Sequence, residues 1–148
     1  MNKKELSRTL EYGTKEEVEN IASIITKTHN AIVIKEPEKT MVMIKAKEPS
    51  SGTLFYLGEM LATQCYVEVD GVKGISVMYG DNLLKAKAAA IIDAAHSAKI
   101  SEWEEIEKEI QKLETSRVKK ERKEAALYRN TQVNFKIMED NDGKEVSI

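Results

Sequence analysis

The stretch that decides the fold runs from Gly52 to Ala95 and reads GTLFYLGEMLATQCYVEVDGVKGISVMYGDNLLKAKAAAIIDAA. Residues 53–70 are predicted to be extended, and Gly58 within them predicts a bulge, because glycine interrupts regular strand pairing. Asp70-Gly71 predicts a two-residue hairpin turn, since a type I′ turn needs positive φ at both central residues. The returning strand is then expected from Gly74 to Tyr79.

A strand-to-helix corner follows at Gly80, with Asp81 or Asn82 as the helix N-cap. Residues 83–97 are rich in alanine and isoleucine. Such small side chains let a helix lie close against a sheet, so this segment is expected to cover the strands.

Upstream, residues 1–27 predict two short helices separated at Gly13, the second opened by a capping box of Thr14 and Glu17. Residues 31–34 and 41–46 predict two short β-strands that form a hairpin, the first ending at Pro37.

Downstream, Ser101 is the predicted N-cap of a long helix that reaches about Tyr128. Its length of roughly 40 Å, at 1.5 Å per residue, exceeds what a domain of this size can cover, so part of it is expected to extend toward a partner chain. Glutamates crowd its first turns and basic side chains fill its second half, in the order that the helix dipole favours. A last strand is predicted over residues 131–138, followed by a loose tail over residues 139–148.

Together these elements predict an α+β fold. An antiparallel sheet of about five strands is covered by helices on one face, and the long C-terminal helix is followed by a final strand. The expected organisation is one domain over residues 1–138 and a flexible tail over residues 139–148.

Composition limits the function. The 148 residues include 23 basic and 25 acidic side chains, for a net charge of −2, which argues against a nucleic-acid binder. The first twelve residues, MNKKELSRTLEY, contain no apolar run that could serve as the core of a secretory segment, and no stretch approaches the roughly 18 apolar residues of a membrane helix. We therefore expect a soluble, cytoplasmic chain that contacts neither membrane nor nucleic acid.

Few residues offer chemistry. His29, His96 and Cys65 show no metal-ligand spacing, and a single cysteine cannot hold an iron–sulfur cluster, so no metal is expected. Cys65 falls on the apolar side of a strand, where a small buried side chain is the simpler interpretation than a nucleophile. The pattern GxxxxGK[ST] of a phosphate-binding loop is absent from the sequence.

Polar residues interrupt the extended run next to Gly58. Glu59, Thr63 and Gln64 either face water beside a bulge or contact a ligand or partner backbone. The basic run from Arg117 to Arg129 is diluted by glutamates, which favours a solvated or partner-facing helix over a phosphate site.

Two blocks of residues carry a further signal. The first comprises Gly58-Glu59, Thr63, Val67, Asp70-Gly71, Gly74, Gly80, Ala86, Ala90 and Ile92-Asp93-Ala94, and the second comprises Arg129, Thr131-Gln132-Val133-Asn134-Phe135 and Met138. Together, from about Arg8 to Met138, they resemble the PhnG-type subunit of the bacterial carbon–phosphorus lyase complex. The resemblance makes Gly58, Asp70, Gly71, Gly74, Gly80 and Asp93 fold-defining, and it adds Arg129 and Asn134 to Glu59, Thr63 and Gln64 as candidate contacts with a ligand or partner.

The resemblance implies an accessory or scaffold subunit of the carbon–phosphorus lyase core complex in phosphonate catabolism. That complex uses MgATP as a substrate, and a phosphonate displaces adenine to give ribose 1-phosphonate 5-triphosphate. The expected partners are the other core subunits in a hetero-oligomer. We expect this chain to bind no cofactor alone, to have no catalytic residue and to be inactive by itself.

Two alternatives remain open. The chain could be an adaptor, unrelated to phosphonates, that pairs its long C-terminal helix with another protein. It could also be a small enzyme with a site around Glu59 and Thr63.

Overall fold

The computed structural model describes residues 1–131, 136–138 and 145–147. Two helices, α1 (Lys3–Tyr12) and α2 (Lys15–Thr28), precede three strands, β1 (Ala31–Lys47), β2 (Leu54–Val69) and β3 (Val72–Tyr79). Helices α3 (Leu83–Ala98) and α4 (Trp103–Asn130) follow, and then two three-residue strands, β4 (Lys136–Met138) and β5 (Glu145–Ser147). The α+β class is confirmed.

The main sheet is antiparallel in the order β1-β2-β3, so the described residues give it three strands rather than about five. The prediction of a hairpin between residues 31–34 and 41–46 is wrong, because both segments belong to β1, which pairs along its length with β2. Pro37 does not end the strand. It lies in an irregularity of the pairing between Lys35 and Glu38, and a proline is tolerated there because β1 is an edge strand.

The predicted turns are confirmed. Asp70 and Gly71 have φ values of 49° and 80° and connect the paired residues Val69 and Val72. In the long β1–β2 pairing, Ile44 lies opposite Gly58 and Lys45 lies opposite Tyr56. One residue of β2 is therefore extra at this point, which is the bulge that Gly58 predicted.

The helix starts agree less uniformly with the sequence. Thr14 and Glu17 form the predicted capping box of α2. Asn82 is the N-cap of α3 but makes no side-chain capping hydrogen bond. Helix α4 begins at Trp103 rather than directly after Ser101, whose hydroxyl donates to the Glu102 carboxylate instead of capping the helix.

The core lies between one face of the sheet and α3. Cys65, Val67 and Val69 of β2 are fully buried, and Ala90 and Ile92 of α3 pack in the same cluster. The prediction that helices cover one sheet face is thus confirmed.

Residues 1–115 form one compact unit and residues 116–148 a second. In the first unit, α1 and α2 and the buried side chains Ile106 and Ile110 of α4 belong to the core cluster. The predicted strand over residues 131–138 does not directly follow the helix: Thr131 is a turn residue, and residues 132–135 lie outside the described part. Strand β4 starts at Lys136 and pairs with β5 rather than with the main sheet. Of the expected tail, residues 139–144 and 148 also lie outside the described part.

Candidate interaction surface

The two edges of the main sheet differ in their exposure. On the β3 edge, the Ile75 N–H donates to Asp93 Oδ2 at 3.0 Å, and the Tyr79 N–H donates to Glu11 Oε1 at 3.2 Å. Carboxylates from α3 and α1 therefore occupy donors that a further strand would need. Partial burial raises the pKa of the Glu11 carboxyl, while Lys85 and the Tyr79 N–H oppose that rise.

The outer edge of β1 has no strand partner among the described residues. It extends over 17 residues, from Ala31 to Lys47, and it is interrupted by the irregularity at Pro37. An unpaired edge of this length offers backbone donors and acceptors to another chain. The β1 edge is thus the open side of the sheet.

Beyond β3, strands β1 and β2 continue as a two-stranded ribbon. Strand β3 reaches only as far as the pair Ala62 and Tyr79, while β1 and β2 stay paired out to Lys47 and Leu54. We call residues 39–61 the arm. Eight of its large apolar side chains are at least 40% exposed: Met41, Met43, Leu54, Phe55, Tyr56, Leu57, Met60 and Leu61.

Monomeric soluble proteins rarely expose so many neighbouring large apolar side chains. A two-stranded ribbon is marginally stable in water, and contiguous exposed apolar side chains mark interaction sites. The arm therefore combines an open edge with a surface that water solvates poorly. Within residues 1–115, no other element covers it.

Hydrogen bonds order the tip of the arm. The Glu48 carboxylate accepts from the hydroxyls of Ser50 and Ser51, at 2.7 and 2.5 Å, and these bonds lower the pKa of Glu48. The Gly52 N–H donates to the Glu48 carbonyl at 2.9 Å. The turn at the tip is thus held by its own side chains and backbone, and it joins the two strands of the arm.

Two of the predicted contact residues lie on exposed or half-buried parts of β2. Glu59 is exposed on the arm opposite Met43, next to the bulge at Gly58. Gln64 is half-buried near the base of the arm, and its amide donates to Glu38 Oε1 at 2.8 Å. Their contact with a ligand or partner stays a prediction.

Thr63 has a structural position. Its side chain is fully buried, its hydroxyl donates to the Gly80 carbonyl at 2.7 Å, and the same oxygen accepts from the Asn82 N–H at 3.1 Å. These bonds tie β2 to the corner that begins α3. Thr63 and Glu59 are therefore not brought together around a common opening, although they follow each other along one strand.

The remaining predicted contacts lie in the second unit. Arg129 is exposed near the end of α4, beside the exposed Tyr128. Asn134 lies outside the described residues. From Lys119 to Asn130 every α4 side chain is exposed, and basic side chains outnumber acidic ones. This part of α4 therefore has no buried face, and the expectation that it contacts a partner chain stays a prediction.

His96 and Cys65 are held in contacts within the fold. The ring of His96 meets Trp103 edge-on at 4.9 Å, and its Nε2 lies 3.0 Å from the Met1 carbonyl. Burial raises the pKa of the Cys65 thiol to about 11, which leaves it protonated and a poor nucleophile. Throughout the described residues, no group of three His, Cys, Asp or Glu side chains could hold a metal ion.

A second histidine cluster was not predicted. His29 lies between Asp70 and Glu102, which are 41 and 73 residues away in sequence.

The apolar surface of the arm was also not predicted as a site. Its signal is the run Leu54-Phe55-Tyr56-Leu57, which lacks the alternation of a half-buried strand.

In the described residues, no helix is long and apolar enough to cross a membrane. Among curated proteins, no relative matches the chain. A family model described as "Phosphonate metabolism protein PhnG" matches residues 1–139. This match covers nearly the whole sequence, including the bulge, both turns and the close-packed helix described above. The chain therefore belongs to the PhnG family of phosphonate metabolism proteins.

Proposed function

We propose that the chain is a non-catalytic subunit of the carbon–phosphorus lyase core complex. In this role it supports the MgATP-dependent formation of ribose 1-phosphonate 5-triphosphate. A phosphonate oxygen forms a bond to the ribose C1′ carbon, and the bond from C1′ to adenine breaks, so adenine leaves. Membership of the PhnG family is the observation that carries this proposal, and it favours phosphonate metabolism over an unrelated adaptor.

The arm and the open β1 edge support a scaffold role. The exposed apolar side chains of the arm would be covered by a neighbouring core subunit, and the β1 edge would supply main-chain hydrogen bonds to that subunit. The exposed second half of α4 is rich in basic side chains and could bind either that subunit or a second one. We propose that the chain works in the cytoplasm, because the phosphonate breakdown proposed here consumes ATP.

The chemistry of the side chains supports a catalytic centre on a partner. MgATP would be a substrate of the complex rather than a ligand of this chain alone, because the sequence has no phosphate-binding loop. Thr63, one of the two residues of the small-enzyme alternative, is buried and uses its hydroxyl inside the fold. It is poorly placed to meet a substrate.

Co-expression with the other core subunits tests this proposal. The wild-type chain is expected to co-purify in a stable hetero-oligomer that releases adenine from MgATP when methylphosphonate is added. The chain alone is expected to release none. Failure to co-purify would contradict membership of the complex, and adenine release by the isolated chain would place the catalytic centre here.

Variants of the arm sharpen the test. The double substitution Met43→Lys and Leu57→Lys places charges on the exposed apolar surface and is expected to abolish co-purification. The matched control is Lys73→Glu, which changes charge at an exposed site of β3, away from the arm, and should leave assembly intact. Equal assembly of both variants would show that the arm is not an interface.

A further inference from the structure

The side chain of His29 joins three elements of the fold. His29 follows the last residue of α2, and its backbone N–H donates to the Ile25 carbonyl at 2.9 Å. Its Nδ1 lies 2.5 Å from Asp70 Oδ2 in the β2–β3 turn, and its Nε2 lies 2.8 Å from Glu102 Oε2 just before α4. The imidazole is 16% exposed, so water reaches only part of it.

This geometry requires a charged ring for both bonds. A neutral imidazole has one donor and one acceptor nitrogen, whereas the imidazolium donates from both. Since each nitrogen faces a carboxylate oxygen, only the imidazolium satisfies both contacts. The charged groups that act on the ring are Asp70 from the turn and Glu102 from the segment before α4.

The electrostatics agree with the geometry. The hydrogen bond to Glu102, followed by that to Asp70, raises the pKa of His29 above its usual 6.5. The same bond from His29, helped by the Ser101 hydroxyl, lowers the pKa of Glu102 to about 2. Both shifts favour the charged cluster.

We infer that His29 is a proton-dependent clamp, which fastens the β2–β3 turn and the start of α4 to the end of α2. When the ring loses its proton, one carboxylate loses its donor and now faces a nitrogen lone pair. The Glu102 carbonyl accepts from the N–H groups of Glu105 and Ile106, at 3.1 and 3.2 Å. Loss of the proton therefore loosens the first turn of α4.

The first test is an NMR titration of the His29 ring in the full chain. In the wild type the ring is expected to titrate above 6.5. Asp70→Asn and Glu102→Gln should each move the pKa down, and the double variant should move it further. Asparagine suits the positive φ of 49° at position 70, so Asp70→Asn preserves the turn. A wild-type ring that titrates at or below 6.5 would overturn the clamp.

The second test measures hydrogen exchange at the Glu105 and Ile106 amides on both sides of the measured His29 pKa. Their protection factors, corrected for the intrinsic effect of pH, are expected to fall in the wild type as pH rises through that pKa. In His29→Gln they should be lower at acidic pH and independent of pH across the same range. Equal pH dependence in wild type and His29→Gln would show that the ring does not control this turn.

Discussion

Gly74 of β3 lies directly against Ala94 of α3. A methyl group added to Gly74 would overlap the Ala94 backbone nitrogen, the Ala94 methyl and the Ala90 carbonyl oxygen. Two of these three neighbours are backbone atoms, which cannot rotate away as a side chain could. The helix can approach the sheet this closely only because position 74 has no side chain and the facing residues are alanines.

Gly74→Ala is therefore expected to destabilise the fold by about 3 kcal/mol or more, at the upper end of the usual cost of overpacking. The free energy of unfolding from denaturant titration measures this. Val77→Ile is the matched control, because it enlarges an exposed side chain on the same strand and should change stability by less than about 0.5 kcal/mol. A small effect of Gly74→Ala would mean that α3 is free to move off the sheet.

The Thr63 hydroxyl gives a second prediction. Thr63→Val keeps the shape of the buried side chain but removes the partner of the Gly80 carbonyl and the Asn82 N–H. Leaving such groups unsatisfied costs about 1–3 kcal/mol, so the variant should lose that much unfolding free energy. Thr63→Ser retains the hydroxyl and should be the more stable of the two. The opposite order would show that packing, rather than hydrogen bonding, makes Thr63 important.

Local rules predicted the parts of the fold that depend on a few neighbouring residues. The Asp70-Gly71 turn and the capping box of Thr14 and Glu17 follow from the backbone preferences of those residues alone. The bulge at Gly58 was found for the same reason.

Long-range context decided the rest. Pro37 predicted the end of a strand, but tertiary pairing with β2 carries β1 past it, because the edge position tolerates a missing N–H. The clamp at His29 joins residues far apart in sequence, so no local pattern could reveal it. The buried role of Thr63 likewise depends on where Gly80 lies in space.

The His29 cluster predicts a pH dependence of global stability. Because the folded pKa of His29 is raised, its contribution is complete below 6.5 and is lost as pH rises through the folded value. Because the folded pKa of Glu102 is lowered to about 2, its contribution is complete above 4.5 and is lost as pH falls toward 2. The difference in melting temperature between wild type and His29→Gln should therefore be largest between pH 4.5 and 6.5. A difference that grows above that window would contradict the direction of the His29 shift.

Because the apolar side chains of the arm are exposed, substitutions there should change the self-association of the isolated chain without changing its stability. Tyr56 and Leu57 are 59% and 64% exposed, so replacing both with serine removes little buried contact and should change the unfolding free energy by less than about 0.5 kcal/mol. The same substitutions remove apolar surface that favours non-specific association. Light scattering at increasing concentration should show less self-association than in the wild type, at an unchanged melting temperature. Val67→Ser is the contrasting control: it should lower the melting temperature strongly, because that side chain is fully buried. If the arm variant loses as much stability as the Val67 variant, the arm packs within the fold and is not available to a partner.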